Sequence, residues 1–152
     1  MKKYVILMCA LGVMLFTTGC EKTNTLNCTK TETDDDGYKT TETIVVTSKN
    51  DKVSKVEQTS IQEMEADLVD STISFGETFS SAFNEIDGMD VKYSKESETS
   101  IKLTMNVDFA KLDMDRLKEA FGDDLTDDEF YSAKDMSLEE FKTKNLEGYT
   151  CN

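Results

Sequence analysis

The residues of this chain best suited to chemistry are its four cysteines and its 31 carboxylates; it contains no histidine. That absence removes Ser-His-Asp and Cys-His catalysis. It also removes every His-ligated zinc, haem or copper site. No Cys-x-x-Cys pair supports a zinc knuckle or a thioredoxin-like redox centre. The seven glycines are scattered singly, and no G-x-x-x-x-G-K-[ST] phosphate loop occurs. No tryptophan offers a strong stacking platform. A carboxylate pair can perform glycosidic acid/base work, but the sequence singles out no pair among so many acids.

Two acidic clusters invite comparison with cation sites. One is Asp34, Asp35 and Asp36, followed by Gly37; the other is Asp123, Asp124, Asp127, Asp128 and Glu129. Calcium takes several oxygens, and an EF-hand loop needs acids at fixed steps around its glycine. Counting from Gly37 puts the first ligand slot on Glu32 but the final glutamate slot on Thr43. Counting from Gly122 puts the first slot on Leu117. Neither frame passes. The first cluster reads as turn chemistry and the second as helix N-terminal charge. The expectation is therefore no catalytic residue, no cofactor and no metal ligand. A calcium-responsive module built on Asp123–Glu129 is the alternative, and a carboxylate hydrolase is a less favoured one.

The cysteines carry more information. Lys2 and Lys3 precede a charge-free apolar run from Val5 to Phe16, 12 residues long. A bilayer-spanning helix needs about 20 such residues. A basic start, a short apolar run and then the small residues Thr17, Thr18 and Gly19 follow the order of a secretory signal. Cys20 stands at the boundary. The sequence "TTGC" resembles a bacterial lipobox, with Thr17 where leucine is usual. The resemblance implies a diacylglyceryl group on the Cys20 sulfur and cleavage before it. Two acyl chains, at ~0.8 kcal/mol per buried methylene, hold a protein on a membrane where one chain does not. Residues 1–19 are thus expected to be a leader, and residues 20–27 a polar tether. The expected location is the cell membrane, lipid-anchored, on its extracytoplasmic side.

Residues 28–152 then form one domain, long enough for a moderate core. Loss of Lys2 and Lys3 with the leader takes the net charge from −14 to −16. A chain so acidic lacks the basic footprint that nucleic acid requires. Its membrane attachment must come from the anchor rather than from anionic lipid. Cys28 and Cys151 remain near the two ends of the domain. They either stay as thiols or pair. An exported compartment favours the pair, which would close nearly the whole domain into one loop.

Elements follow from periodicity. Cys28–Thr33, Tyr38–Ser48 and Lys52–Met64 are rich in Thr, Val and Ile and are separated by "DDDG" and "KND", which predicts a three-stranded meander. Leu68, Thr72, Phe75, Phe79, Phe83 and Ile86 recur at helical steps. They predict one long helix whose phenylalanines pack on the meander. Gly76 in its middle costs roughly 1 kcal/mol against alanine. Met89–Tyr93 and Ile101–Phe109 alternate and predict a half-buried hairpin. Asp113 is placed to cap a helix through Phe121, while Thr126/Glu129 and Ser137/Glu140 fit capping boxes. The expected fold is α+β: a two-layer sandwich with an antiparallel sheet of about five strands and helices on one face.

The meander, the long helix, the "YSKESETSIKLTMNVDF" hairpin and the "DRLKEAFG" helix together resemble the YehR-like family of small bacterial lipoproteins. The resemblance spans most of residues 28–150 and rests on no catalytic motif, so it carries over no active-site residue. It implies a two-layer α+β domain on a lipid anchor. The function expected is binding or scaffolding of another envelope component, without catalysis.

Overall fold

The computed structural model describes residues 22–122 and 132–152. Six antiparallel strands form one sheet: β1 (Thr23–Thr33), β2 (Lys39–Lys49), β3 (Lys52–Glu63), β4 (Met89–Ser97), β5 (Ser100–Asp108) and β6 (Thr150–Cys151). Their order is β4-β5-β3-β2-β1-β6. Helix α1 (Ala66–Asn84) joins β3 to β4, α2 (Met114–Phe121) follows β5, and α3 (Leu138–Asn145) precedes β6. The fold is α+β, as the periodicities predict, with the tail supplying the sixth strand. The first strand starts at Thr23, so Thr23–Asn27 of the expected tether lie in β1.

Strand registers put the apolar residues on one face. Val107 of β5 stands opposite Val56 of β3, which stands opposite Val46 of β2, which stands opposite Leu26 of β1. Val91, Tyr93 and their partners Met105 and Leu103 continue that face to the β4 edge. The other face is polar. Thr150, Thr29, Thr43, Thr59 and Thr104 oppose one another in a single row across five strands. Such cross-strand threonine pairs suit a solvated sheet face.

Val53 and Ile61 are both odd-numbered and Val56 is even, so strict alternation cannot bury all three. The register shift at Thr47/Ser48 inserts Ser54 as an extra residue in β3. This bulge returns Val53, 3 % exposed, to the core face. Ile61 stays on the polar face. The Asn50-Asp51 turn between β2 and β3 has positive φ at both residues, 51° and 66°. That is the type I′ geometry, whose twist matches a hairpin.

The helices that pack on the sheet do so on its apolar face. Helix α1 lies over β4 and β5, and α3 lies over β2 and β3. Around α3, a core of Cys28, Ile44, Val46, Val53, Phe141 and Leu146 forms with Ala133 and Met136. Asp113 and Ser137 cap α2 and α3, accepting from the N–H groups of Arg116 (3.0 Å) and Glu140 (3.2 Å). Asn84 at the end of α1 accepts from the Val91 N–H (2.6 Å) and donates to the Val91 carbonyl (2.9 Å). It thereby pins the helix to the outer edge of β4 and blocks that edge locally.

Helix α1 departs from its expected orientation. Val69, Gly76 and Ser80 face the sheet, while Leu68 and Phe79 are each 48 % exposed and Phe75 is 75 % exposed. At 3.6 residues per turn, the buried line is turned by about 100° from the phenylalanine stripe. The cause is Tyr93 of β4. Its ring occupies the space a Cβ at position 76 would need. Only a glycine lets the helix backbone settle there, and the larger phenylalanines are rotated outward. Phe79 rests edge-on against the half-buried Phe83, with centroids 4.8 Å apart.

The tail is clasped to β1. Asn27 and Asn152 exchange both backbone hydrogen bonds, which places Cys28 and Cys151 at the next, non-hydrogen-bonded pair. Side chains are closest at such pairs, and a disulfide joins these two. Beside it, Tyr149 donates its hydroxyl to the Glu42 carboxylate, and Lys30 sits 5.7 Å from the Tyr149 ring centre.

Two predictions follow from these contacts. Helix propensity alone makes Gly76→Ala stabilising by ~1 kcal/mol. Overpacking against Tyr93 costs about 1–3 kcal/mol and decides the sign, so chemical denaturation should show a less stable protein. The second concerns Tyr149. Burial, the hydrogen bond to Glu42 and its negative charge push the phenol up to about 12. An unfolded tyrosine titrates near 10. The stability held by the neutral phenol is therefore complete below pH ~10 and is lost between ~10 and ~12. Thermal melts across that range should show Tyr149→Phe losing less stability than the parent. Parallel curves would contradict the clasp.

Candidate functional site

The residues singled out as sites lie in different places. Cys20 and the Asp123–Glu129 cluster fall outside the described residues. So does the Thr126/Glu129 capping box. Lys22, the first described residue, accepts a hydrogen bond from the Asn50 N–H at 2.9 Å. The chain therefore enters the domain at the end of the sheet that holds the β2–β3 turn. Cys28 and Cys151 form the clasp at the sheet edge.

Asp34 builds a turn. Its Oδ1 accepts from the N–H groups of Asp36 (3.1 Å) and Tyr38 (2.9 Å), and Gly37 follows at φ 90°. This is the local role that aspartate plays in Asx turns. Among the described residues, no three Asp, Glu or Cys side chains converge on a point where a metal ion would sit. The closest carboxylate–hydroxyl pair is Glu42 with Tyr149, in the tail clasp.

The surface with the geometry of a binding site is a groove. Helix α1 stands over β4 and β5 and α3 over β2 and β3, with the 3-10 turn Ala133–Asp135 packed on β3 beside α3. Two cavities open there. One, of about 300 Å³, is lined by Val56, Met105, Val107, Phe109, Phe141 and Asn145. The other, of about 260 Å³, is lined by Ser60, Gln62, Phe75, Tyr93, Ile101 and Leu103. Their linings share successive inward residues of β5, of which Ile101 and Val107 are buried and Leu103 and Met105 half-buried, so the two cavities lie end to end along that strand. At about 3.4 Å per residue, Ile101 to Val107 spans ~20 Å.

One wall of this groove is the flank of α1 that carries the stripe, with Thr72 and Phe75 at the distal cavity. The groove's lining is mainly apolar, with Asn145, Ser60, Gln62 and Thr72 as its polar points. Its chemistry is that of apolar recognition with a few orienting hydrogen bonds. The periodicity located the stripe but put it in the core. The missed signal was the line of small residues, Gly76 and Ser80 beside Val69, which marks where a helix backbone can approach a sheet.

The turns at the distal end of the sheet, opposite the β2–β3 turn, are acidic. They hold Asp34, Asp35, Asp36, Glu63, Glu65 and Asp67, with Lys39 and Lys95 as the bases. Tyr38 lies among them: burial first, then the charges of Glu65, Asp36, Asp34 and Asp67, push its phenol pKa up.

No family model and no curated protein matches the chain. Solved structures do match. A protein from Streptococcus pneumoniae TIGR4, determined by NMR, is similar with a TM-score of 0.60 at 15% identity, over 90% of this chain and 88% of that one. The E. coli YehR protein, also determined by NMR, is similar with a TM-score of 0.58 at 16% identity, over 86% of this chain and 91% of that one. At such identities the likeness is one of fold, and the chain has a YehR-like fold.

Proposed function

We propose that this chain is a lipid-anchored protein of the extracytoplasmic membrane face that binds another envelope component in the groove between α1 and α3, and that it acts by binding rather than catalysis. The observation that carries the binding reading is Phe75. A phenylalanine 75 % exposed, on the rim of an apolar groove and in line with exposed Leu68 and Phe79, is costly to leave in water. The lipobox-like "TTGC" after a short apolar run supports the anchor. The short span from Cys20 to β1 holds the domain close to the membrane, with its acidic distal end turned outward.

Three measurements test this reading. Cys20→Ser should abolish incorporation of radiolabelled fatty acid and release the domain from membranes or leave an unprocessed precursor. Unchanged labelling and fractionation would remove the anchor. Phe75→Ser should change stability by no more than about 0.5 kcal/mol, as exposed substitutions do, whereas a buried phenylalanine would cost about 3–5 kcal/mol. A photo-crosslinker at position 75 in intact cells should give discrete adducts, and one at position 43 on the polar sheet face should not. Equal capture at both positions, or none at 75, would remove the groove as the binding surface.

A further inference from the structure

We infer that diacylglyceryl transfer to Cys20 must precede oxidation of Cys28, because a free Cys20 thiol competes with Cys151 for the Cys28 sulfur. This rests on the anchor reading above and sets lipid attachment ahead of disulfide formation in the maturation of the chain.

The folded domain has no place for a Cys20–Cys28 bond. Cys28 is fully buried and joined to Cys151 of β6. Around it β1 pairs with β2 from Thr23–Lys49 to Thr33–Lys39, and Lys22, just before β1, accepts from the Asn50 N–H. From Lys22 to Cys28 the extended chain covers ~20 Å, at about 3.4 Å per residue. Cys20 precedes Lys22 by two residues, which reach back at most ~7 Å. A disulfide needs its Cα atoms within about 7 Å of each other. The wrong bond therefore falls short by ~6 Å while Lys22 and β1 keep their places. A chain that carries it must give up the first half of β1, and it leaves Cys151 without a partner and the tail without its clasp.

Before β1 forms, the wrong bond is the favoured one. Cys20 and Cys28 are eight residues apart, whereas Cys28 and Cys151 are 123 apart. Closure of a flexible loop falls as the three-halves power of its length, so the short loop closes on the order of 60 times more often. Timing acts in the same direction. At about 5–20 residues per second of synthesis, Cys151 follows Cys28 by roughly 6–25 s. Cys9 lies within the apolar run of the leader and leaves with it. Lipid attachment removes the competitor chemically. The Cys20 sulfur bonds to the glyceryl carbon of a phospholipid, the bond from that carbon to the phosphate oxygen breaks, and the phosphate headgroup leaves with the thiol proton. The product is a thioether, with no S–H to oxidise. Cys28 and Cys151 then give two protons and two electrons to the disulfide of an extracytoplasmic thiol oxidase, which becomes a dithiol.

The test uses the full chain in cells depleted of the diacylglyceryl-transfer step. Free thiols are alkylated at lysis, and cysteine peptides are mapped by mass spectrometry without reductant. In undepleted cells the map should show lipid on Cys20 and the Cys28–Cys151 link. Depletion should raise the Cys20–Cys28 link tenfold or more and leave Cys151 alkylated. Cys20→Ser under the same depletion should restore the Cys28–Cys151 link. A full yield of that link in depleted cells, with Cys20 alkylated as a free thiol, would overturn the inference and leave the anchor reading standing. An unlipidated Cys20 in undepleted cells would overturn the anchor reading, and the inference with it. A second measurement needs no cells. The purified, unlipidated full chain carrying Cys9→Ser is reduced in denaturant, oxidised briefly with oxidised glutathione, and mapped in the same way. The Cys20–Cys28 link should exceed Cys28–Cys151 by tens of fold, as loop closure requires. Comparable amounts of the two would remove the competition on which the order depends.

Discussion

The sheet has one apolar face, and the rest of the molecule is arranged to cover it. Alternation along β2, β3, β4 and β5 sends Val46, Val56, Val91 and Val107 to the same side, and the bulge at Ser54 recruits Val53 to it. Burying a side chain of this size contributes about 1.5–3 kcal/mol, so the face cannot be left open along its length. Helix α1 covers the β4 end and the C-terminal segment covers the β1–β3 end. Each cover is fixed by a different device. Gly76 lets α1 settle onto Tyr93, and Asn84 ties the helix end to the β4 backbone. The tail is fixed by the disulfide, which sits within the core around Phe141 and Leu146. On the chain-entropy view a loop of roughly 100 residues closed in this way gains up to ~4.7 kcal/mol.

Among the described residues the helices cover the six-stranded face from its two ends, and two cavities lie between them over β5 and β3. The groove over β5 and β3 is the remainder of that arrangement, and the rotation of α1 adds aromatic surface to its wall. The close approach at Gly76 that seats the helix also turns Leu68, Phe75 and Phe79 outward. Hydrophobic surface displayed beside these cavities, on a domain whose other surfaces are strongly charged, is what the binding proposal stands on.

Much of this fold was legible in the sequence because it is governed by local rules. The three-stranded meander follows from β-branched runs and from "DDDG" and "KND" turns. Asp113 and Ser137 cap as their positions predict. The pairing of Cys28 with Cys151 places the tail beside β1 before any register is known. The orientation of α1 was not legible. Hydrophobic periodicity weighs a phenylalanine above a glycine, yet the deciding contact is between a residue with no side chain and a tyrosine ring in the next strand. That contact is non-local and has no signature in a single helix. The bulge at Ser54 is similar: the parity of Val53, Val56 and Ile61 signals a conflict but not which residue yields. For the site, sequence reasoning weighed the acids, and Asp34 is occupied with its own turn. The groove emerges only from strand order.

The orientation of α1 is the claim on which both the fold and the site depend. It is tested most directly by NMR in the presence of a soluble, neutral gadolinium relaxation agent, with aromatic and methyl protons assigned. The account predicts strong relaxation enhancement at the Phe75 and Phe79 rings and the Leu68 methyls, with the Val69 methyls and Val91 protected. Protection of Phe75 and Phe79 together with enhancement at Val69 would mean that the helix packs by its phenylalanine stripe, and both the groove and the binding reading built on it would be lost.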